Sequence, residues 1–346
     1  MNRPIAISLL LVAYSVACSD SSSTEPPPVV ATTDSLVINA SQSAAFVRLG
    51  RPAQVVAIAN ASSSADWDMS FFATTVTLNG GAAGPGTVVG YCICARASAT
   101  DDAIRLLTPA STLPDFEAVS SSSVPADSSF KRDALVPAIS GWVTGSGASA
   151  TIVPNRSFIL REGTTTAILA KIQISGLQQA SASNAGQITF DFAIQPSTGA
   201  SFGAAQTRTA DVRNGPVYFD LTSGSVSSAA NWDLRFDGYE IRLNSGASGS
   251  GTLGAIPETS RPFSAIDATY AATAPAQAYR RDAFAGVFAS TPWYRYNITG
   301  TDNQIWPTYN VYLVKRGSNV FKVQLIGYYG PSGEPRMVTI RYAQLR

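Results

Sequence analysis

The chain says one thing twice, and any fold proposed for it must accommodate both statements. Trp67-Asp68-Met69-Ser70-Phe71 opens a stretch that runs through Asn79, Gly81, Gly84 and Gly86. Trp232-Asp233-Leu234-Arg235-Phe236 opens another that runs through Asn244, Gly246, Gly249 and Gly251, in ungapped register 165 positions later. A second echo lies further on. Lys171-Ile172-Gln173-Ile174 and Ile188-Thr189-Phe190-Asp191-Phe192 correspond to Lys322-Val323-Gln324-Leu325 and Val338-Thr339-Ile340-Arg341-Tyr342. Between the blocks, Arg132-Asp133-Ala134 echoes Arg281-Asp282-Ala283, and Trp142 echoes Trp293. Solenoid and propeller units repeat every ~20–50 residues. This spacing is the size of a domain, so the reading is two tandem copies of one fold.

The N-terminus has the pattern of a secretion signal. Arg3 is followed by a short apolar run, Ile5 to Ala13, too short for the ~20 residues of a membrane-spanning helix. The run ends at Ser15-Val16-Ala17-Cys18. A small residue before a cysteine resembles the lipobox of bacterial lipoproteins, which implies cleavage after residue 17 and a lipid on Cys18. Ser15 stands where such boxes usually carry leucine. The alternative is an ordinary signal peptide cut nearby. Residues 18–35 are rich in Ser, Thr and Pro, with Pro26-Pro27-Pro28 at the centre. Such a stretch cannot bury a core and reads as an extended tether.

Composition removes several function classes. Asp and Glu number 23 against 24 Lys and Arg, for a net charge of +1. No basic stripe emerges, so the footprint that neutralises nucleic-acid phosphates is missing. Histidine is absent altogether. That removes Ser-His-Asp and Cys-His catalysis, HExxH zinc sites and every His-ligated metal or haem. The glycine-rich stretches lack the Gly-Lys-Ser/Thr ending of a phosphate loop and read as β-turns or ligand-approach loops. Asp68 and Asp233 offer one carboxylate per copy, poor support for acid–base catalysis. An enzyme is not expected.

Strand signals dominate. Val55 to Ala59, Ala167 to Ile174 and Val320 to Ile326 are β-branched or aromatic runs bounded by turn residues. Trp232, Leu234 and Phe236 alternate with Asp233, Arg235 and Asp237, the period of a half-buried strand. Helical turns are expected only near Asp102 to Leu107 and Ala265 to Ala272. The fold class is all-β with minor helix. Copy one spans 36–200, a linker 201–214 and copy two 215–346, each copy expected to bury its own core.

The ordered blocks of copy two resemble the HmuY-like haem-binding lipoproteins. The order is Trp-Asp-x-x-Phe, Asn-x-Gly-x-x-Gly-x-Gly, Trp293-Tyr294-Arg295-Tyr296, then Tyr312-Leu313-Val314-Lys315-Arg316-Gly317 and Phe321-Lys322-Val323-Gln324-Leu325-Ile326 before Tyr328-Tyr329. Copy one keeps the first block and echoes the last more loosely. The resemblance implies a lipid-anchored, hand-shaped β domain that holds haem between loops at one end. It also implies an outer-membrane haem receptor as partner and a place in the cell envelope. In that family histidine or methionine ligates the iron, often just after Trp-Tyr-x-Tyr. This chain reads Gly300-Thr301-Asp302-Asn303-Gln304 there, with no good iron ligand.

Candidate contacts follow. Trp293, Tyr294, Tyr296 and Trp306, with Tyr91 from copy one, supply aromatic surface for a flat macrocycle. Met69 and Met337 are thioethers able to ligate iron, although Met69 stands opposite Leu234 in the repeat, as a core residue would. Cys92 and Cys94 read as a disulfide, as two buried thiols, or as a pair sharing a metal. The leading expectation is a lipoprotein binding haem or a related porphyrin without histidine. The alternative is a structural or interaction lipoprotein that kept the fold alone. If Cys18 is the anchor, Cys18→Ala will move the protein out of the detergent phase on phase partition; a variant still retained there rules the anchor out.

Overall fold

The computed structural model describes residues 33–163 and 167–346; the signal segment, Cys18 and nearly all of the tether lie outside the described residues. The all-β expectation holds. Two large antiparallel sheets of five strands dominate, with smaller sheets beside them. The expected helical turns appear as short helices at Asp101–Arg105 and Ala268–Ala271, joined by Leu113–Ala118 and Val287–Ser290.

The strand pairing crosses the repeat. The first large sheet runs, in spatial order, Asp34–Asn39, Pro335–Gln344, Asn319–Tyr329, Val311–Arg316, Val89–Ile93. Its outer strands come from copy one and its three inner strands from copy two. Ile38 lies opposite Val338, and Ile93 opposite Val311. The second large sheet runs Gln206–Asp211, Gln187–Ile194, Ile168–Gln178, Ser157–Glu162, Gly254–Glu258. Here the inner strands are from copy one and the last outer strand from copy two, with Leu160 opposite Ala255. The two copies have exchanged halves.

The result is two bodies. One joins residues 34–133 to 283–346. The other is the continuous stretch 134–282. The cores follow this division. One cluster packs Val47, Met69, Phe71 and Leu78 against Tyr312, Phe321 and Tyr342. The other packs Phe158, Ile172 and Phe190 against Phe219, Leu234 and Phe236. Phe190 stacks on Phe236 with ring centroids 4.8 Å apart. This corrects the expectation that each copy buries its own core. It also corrects the linker, since Gln206–Asp211 is an edge strand, with Asp211 opposite Gln187.

Two lysines show the exchange most directly. Lys322 is buried, and its Nζ donates to the carbonyls of Phe116 and Val119, each at 2.8 Å. Those carbonyls end the Leu113–Ala118 helix, where a cation is favoured. Its repeat equivalent, Lys171, donates to Phe263 and Ile266 at 2.8 and 2.7 Å. Each lysine is thus received by the opposite copy. Burial lowers the pKa of both.

The chain passes between bodies twice, at Ala134–Val136 and Ala283–Ala285. These two short strands pair antiparallel, with Phe284 opposite Leu135. Residues 134–282 therefore carry a complete set of strands for one body, in permuted order. A fragment of 134–282 is expected to unfold cooperatively on urea titration followed by the fluorescence of buried Trp142. A fragment of 214–346, one sequence repeat, is expected to lack a cooperative transition; the opposite pattern would show that the repeats close on themselves.

Candidate ligand-binding site

The glycine motif fixes where each crossing begins. Asn79 Nδ2 donates to the Trp67 carbonyl at 2.9 Å, and Asn244 repeats this with Trp232 at 2.8 Å. A Cβ at Gly84 would lie 2.2 Å from Asn79 Oδ1, and at Gly249 2.0 Å from Asn244 Oδ1. Gly81 and Gly246 have φ of +68° and +58°, and a Cβ on either would lie 2.0 Å from the carbonyl of Asp133 or Asp282. The glycines therefore admit the chain's own asparagine and its Arg-Asp-Ala segment. The second stretch also reaches a cavity, where Gly246 is part of the lining.

The aspartates that dock there are buried. Asp133 Oδ2 accepts from Leu78 N at 2.8 Å. Asp282 Oδ2 and Oδ1 accept from Leu243 N and Ala138 N at 3.0 and 2.8 Å. Burial without a paired cation disfavours the ionised form. It pushes Asp133 up to about 7, the Leu78 N–H only partly offsetting it. It also raises Asp282. Asp233, whose Oδ2 accepts from Leu221 N, is pushed up to about 6 mainly by burial.

Beside this crossing lies a cavity of about 560 Å³, within the ~300–1,000 Å³ of small-molecule sites. One wall is the outer face of the hairpin Met69–Phe72 and Thr75–Leu78. Strand alternation sends Met69 and Phe71 into the core and leaves Ser70, Phe72, Thr75 and Thr77 facing the cavity. Ala73, at φ +50°, makes the turn. The opposite wall is the returning chain, with Phe284, Phe288, Pro292 and Tyr294. Gly246, Ala247 and Asp282 of the other body close one end. Phe72 stands half-exposed at the rim.

Of the residues singled out in the sequence, Tyr294 lines this cavity. Trp293 is 1% exposed and belongs to the core, its Nε1 donating to the Thr74 carbonyl at 2.9 Å. It thereby holds the hairpin that forms the first wall. Tyr296 points outward at 58% exposure and donates to Asn303 Oδ1. Trp306 lies opposite Arg295 in the small sheet, and its Nε1 donates to Asp302 Oδ2. Tyr91 faces the satellite cluster around Phe116, with its ring 6.0 Å from that of Phe130. The five residues do not converge.

The metal candidates are also corrected. Met69 is fully buried beside Phe71. Met337 is half-buried at a strand position opposite Asn39 and does not line the cavity. Cys92 and Cys94 form a disulfide, so neither offers a thiolate. No cluster of three or more metal-binding side chains occurs among the described residues. The Tyr294 phenol is the one cavity-lining group here with haem-ligand chemistry. This donor set does not fit iron held on two protein axial ligands.

The residues that sequence reading missed are Ser70, Phe72, Thr75, Thr77, Phe284 and Phe288. A signal existed in the repeat. The positions 165 further on are Arg235, Asp237, Glu240 and Arg242. There the hairpin carries a charged ladder, Arg235–Asp237 at 2.6 Å and Arg242–Glu240 at 2.5 Å. The same fold position is neutral and aromatic in one body and ionic in the other.

Residues 213–342 match the family described as HmuY protein. Over this stretch the chain is similar to that family. The HmuY match covers sequence copy two as far as residue 342, and the fold divides that copy between the two bodies. Among solved structures, one similar chain is from Bacteroides vulgatus and is described as a HmuY-like haem-binding protein. It is 14% identical, with a TM-score of 0.16, over 37% of this chain and 83% of that one. Another, from Bacteroides fragilis and described as a lipoprotein, is 17% identical with a TM-score of 0.16, over 37% and 80%. No curated protein sequence matches.

The raised aspartates set a pH dependence. A carboxylate whose folded pKa is raised is protonated in the folded state where the unfolded chain has already lost its proton. Stability then falls as pH rises. For Asp133 the window runs from 3.8 to about 7. Across it wild type should lose on the order of a few kcal/mol relative to Asp133→Asn, read as a difference in urea midpoints between pH 4.5 and pH 7.5. A constant difference across that range would show that Asp133 is ionised throughout.

Proposed function

We propose that this HmuY-like chain is a cell-envelope lipoprotein that binds haem or a related porphyrin through its ring, in the cavity between the Met69–Leu78 hairpin and the returning chain at 284–294. The carrying observation is that wall of Phe72, Phe284, Phe288 and Tyr294 around about 560 Å³. Ring packing and stacking supply the affinity, each aromatic contact contributing ~0.5–1.5 kcal/mol beyond area burial. Iron adds little, because the walls present no histidine, methionine or thiolate and only a single phenol, that of Tyr294. Cys18 supplies the anchor, and an outer-membrane receptor that takes up the ligand is the partner this reading implies.

Haemin and metal-free protoporphyrin IX should therefore bind with affinities within roughly threefold of each other, which is under 1 kcal/mol. Phe72→Ala should weaken both by roughly tenfold, about 1.4 kcal/mol, since Phe72 is half-exposed and its loss leaves the core intact. Absorbance and tryptophan-quenching titrations measure both. A low-spin Soret band lost on Met69→Ala or Met337→Ala would overturn the ring-only reading. Silence with every porphyrin would favour a structural or interaction lipoprotein.

A further inference from the structure

Next to the apolar cavity lies a second hollow of about 240 Å³, and the two share Pro292 and Tyr294 as a common wall. Their chemistry differs. The smaller hollow is lined by the guanidinium-bearing Arg96 and Arg295, with the hydroxyls of Ser290, Thr291 and Thr308 and the amide of Asn310. The arginines arrive from opposite halves of the chain. Arg96 lies two residues beyond disulfide-bonded Cys94, and Arg295 is central in Tyr294–Tyr296.

Both guanidinium groups are held from outside. Arg96 Nη1 donates to the Tyr309 carbonyl at 3.2 Å, and its Nη2 pairs with Asp115. Arg295 Nη1 pairs with Asp101 at 2.5 Å, and its Nη2 donates to the Ala99 carbonyl. The acids sit on the solvent side. The Asp115 and Asp101 side chains are 46% and 53% exposed, against 17% and 29% for their arginines. A guanidinium has five N–H groups in a fixed fork, so these contacts leave donors on each. The Nε–H of neither arginine has a protein acceptor among the described residues. The arrangement is two oriented cations, with unspent donors, beside an apolar slot.

We propose that the ligand is amphipathic: its ring lies against Phe72, Phe284 and Phe288, and a carboxylate at its edge passes Tyr294 and is received by Arg96 and Arg295. This rests on the porphyrin reading of the larger cavity and adds to it an orientation and a charge requirement. Planar guanidinium groups match carboxylates in bidentate geometry. The exposed partners, Asp101 and Asp115, yield to a bound carboxylate at little cost because water resolvates them.

The test uses the full mature chain, with protoporphyrin IX and its dimethyl ester delivered in the same mild detergent. The two probes share a ring and differ in charge. The diacid should bind about tenfold more tightly, the scale of one hydrogen bond to a charged group. Arg295→Gln should remove most of that preference and leave ester binding unchanged. Asp101→Asn frees the Arg295 charge and should tighten the diacid alone, a gain that damage to the fold would not produce. The preference should also shrink as salt is raised. Equal affinity for diacid and ester overturns the carboxylate subsite while leaving the ring site standing. An equal loss of both probes in Arg295→Gln, or no gain for the diacid in Asp101→Asn, overturns it too. Binding of neither probe to wild type removes the porphyrin reading and this inference together.

Discussion

Asp133 and Asp282 are where the architecture is decided. Each ends the first half of a sequence repeat, and each is seated by a backbone carbonyl and a buried carboxylate on the loop of the Asn-Gly motif. Ala82 N and Ala247 N donate to those carbonyls at 2.8 Å. From that seat the chain leaves its own half and enters the other body. Asp133 also constrains the return. A Cβ at Gly286 would lie 1.9 Å from Asp133 Oδ1, so the carboxylate rests directly on the backbone of the second crossing. Burying a carboxylate against neutral donors is unfavourable unless its hydrogen bonds are good. Keeping such a group at both crossings makes sense as a constraint on chain direction more than as a source of stability.

Much of this was legible in the sequence, and the illegible part has a definite cause. The repeat, the strands and the sparse helix all follow from local patterning, because period-two alternation at Trp232 to Asp237 or the turn at Gly317 needs no knowledge of partners. Partner choice is different. If the halves of two repeats are alike, a strand such as Val89–Ile93 finds equivalent edges in either copy, and Lys322 finds an equivalent set of carbonyls. The backbone pairings are equivalent whether or not the halves exchange, although the side chains they bring together are not. The decision then falls to three-residue connections, Ala134–Val136 and Ala283–Ala285, which are extended and pair with each other. Nothing in their composition announces that they cross.

The cavity is hard to read from sequence for a related reason. Aromatic residues near Trp293 stand out in sequence, yet Trp293 is a core residue that ties the hairpin to the returning chain through Thr74, and Trp306 is spent on Asp302. The residues that shape the cavity are less conspicuous, and what distinguishes them is divergence between copies. Ser70, Phe72, Thr75 and Thr77 keep one hairpin face free of charge, while Arg235, Asp237, Glu240 and Arg242 fill the equivalent face with ion pairs. A duplicated fold has retained its frame in both bodies, with an apolar slot beside the uncharged hairpin.

That asymmetry links binding to the exchange itself. The cavity takes its walls from the first half of copy one and the second half of copy two, and its end from Gly246, Ala247 and Asp282 of the other body. If each repeat closed on itself, the Phe72 hairpin would face the strands of its own copy, where Leu135 and Ile139 stand in place of Phe284 and Phe288. The aromatic pair would move to the charged hairpin. Only the exchanged arrangement places the uncharged hairpin face against the aromatic return strand. A ligand filling the slot therefore binds the exchanged state alone and stabilises it by mass action. The crossing is thus what builds the slot, and any ligand that filled it would favour the crossing.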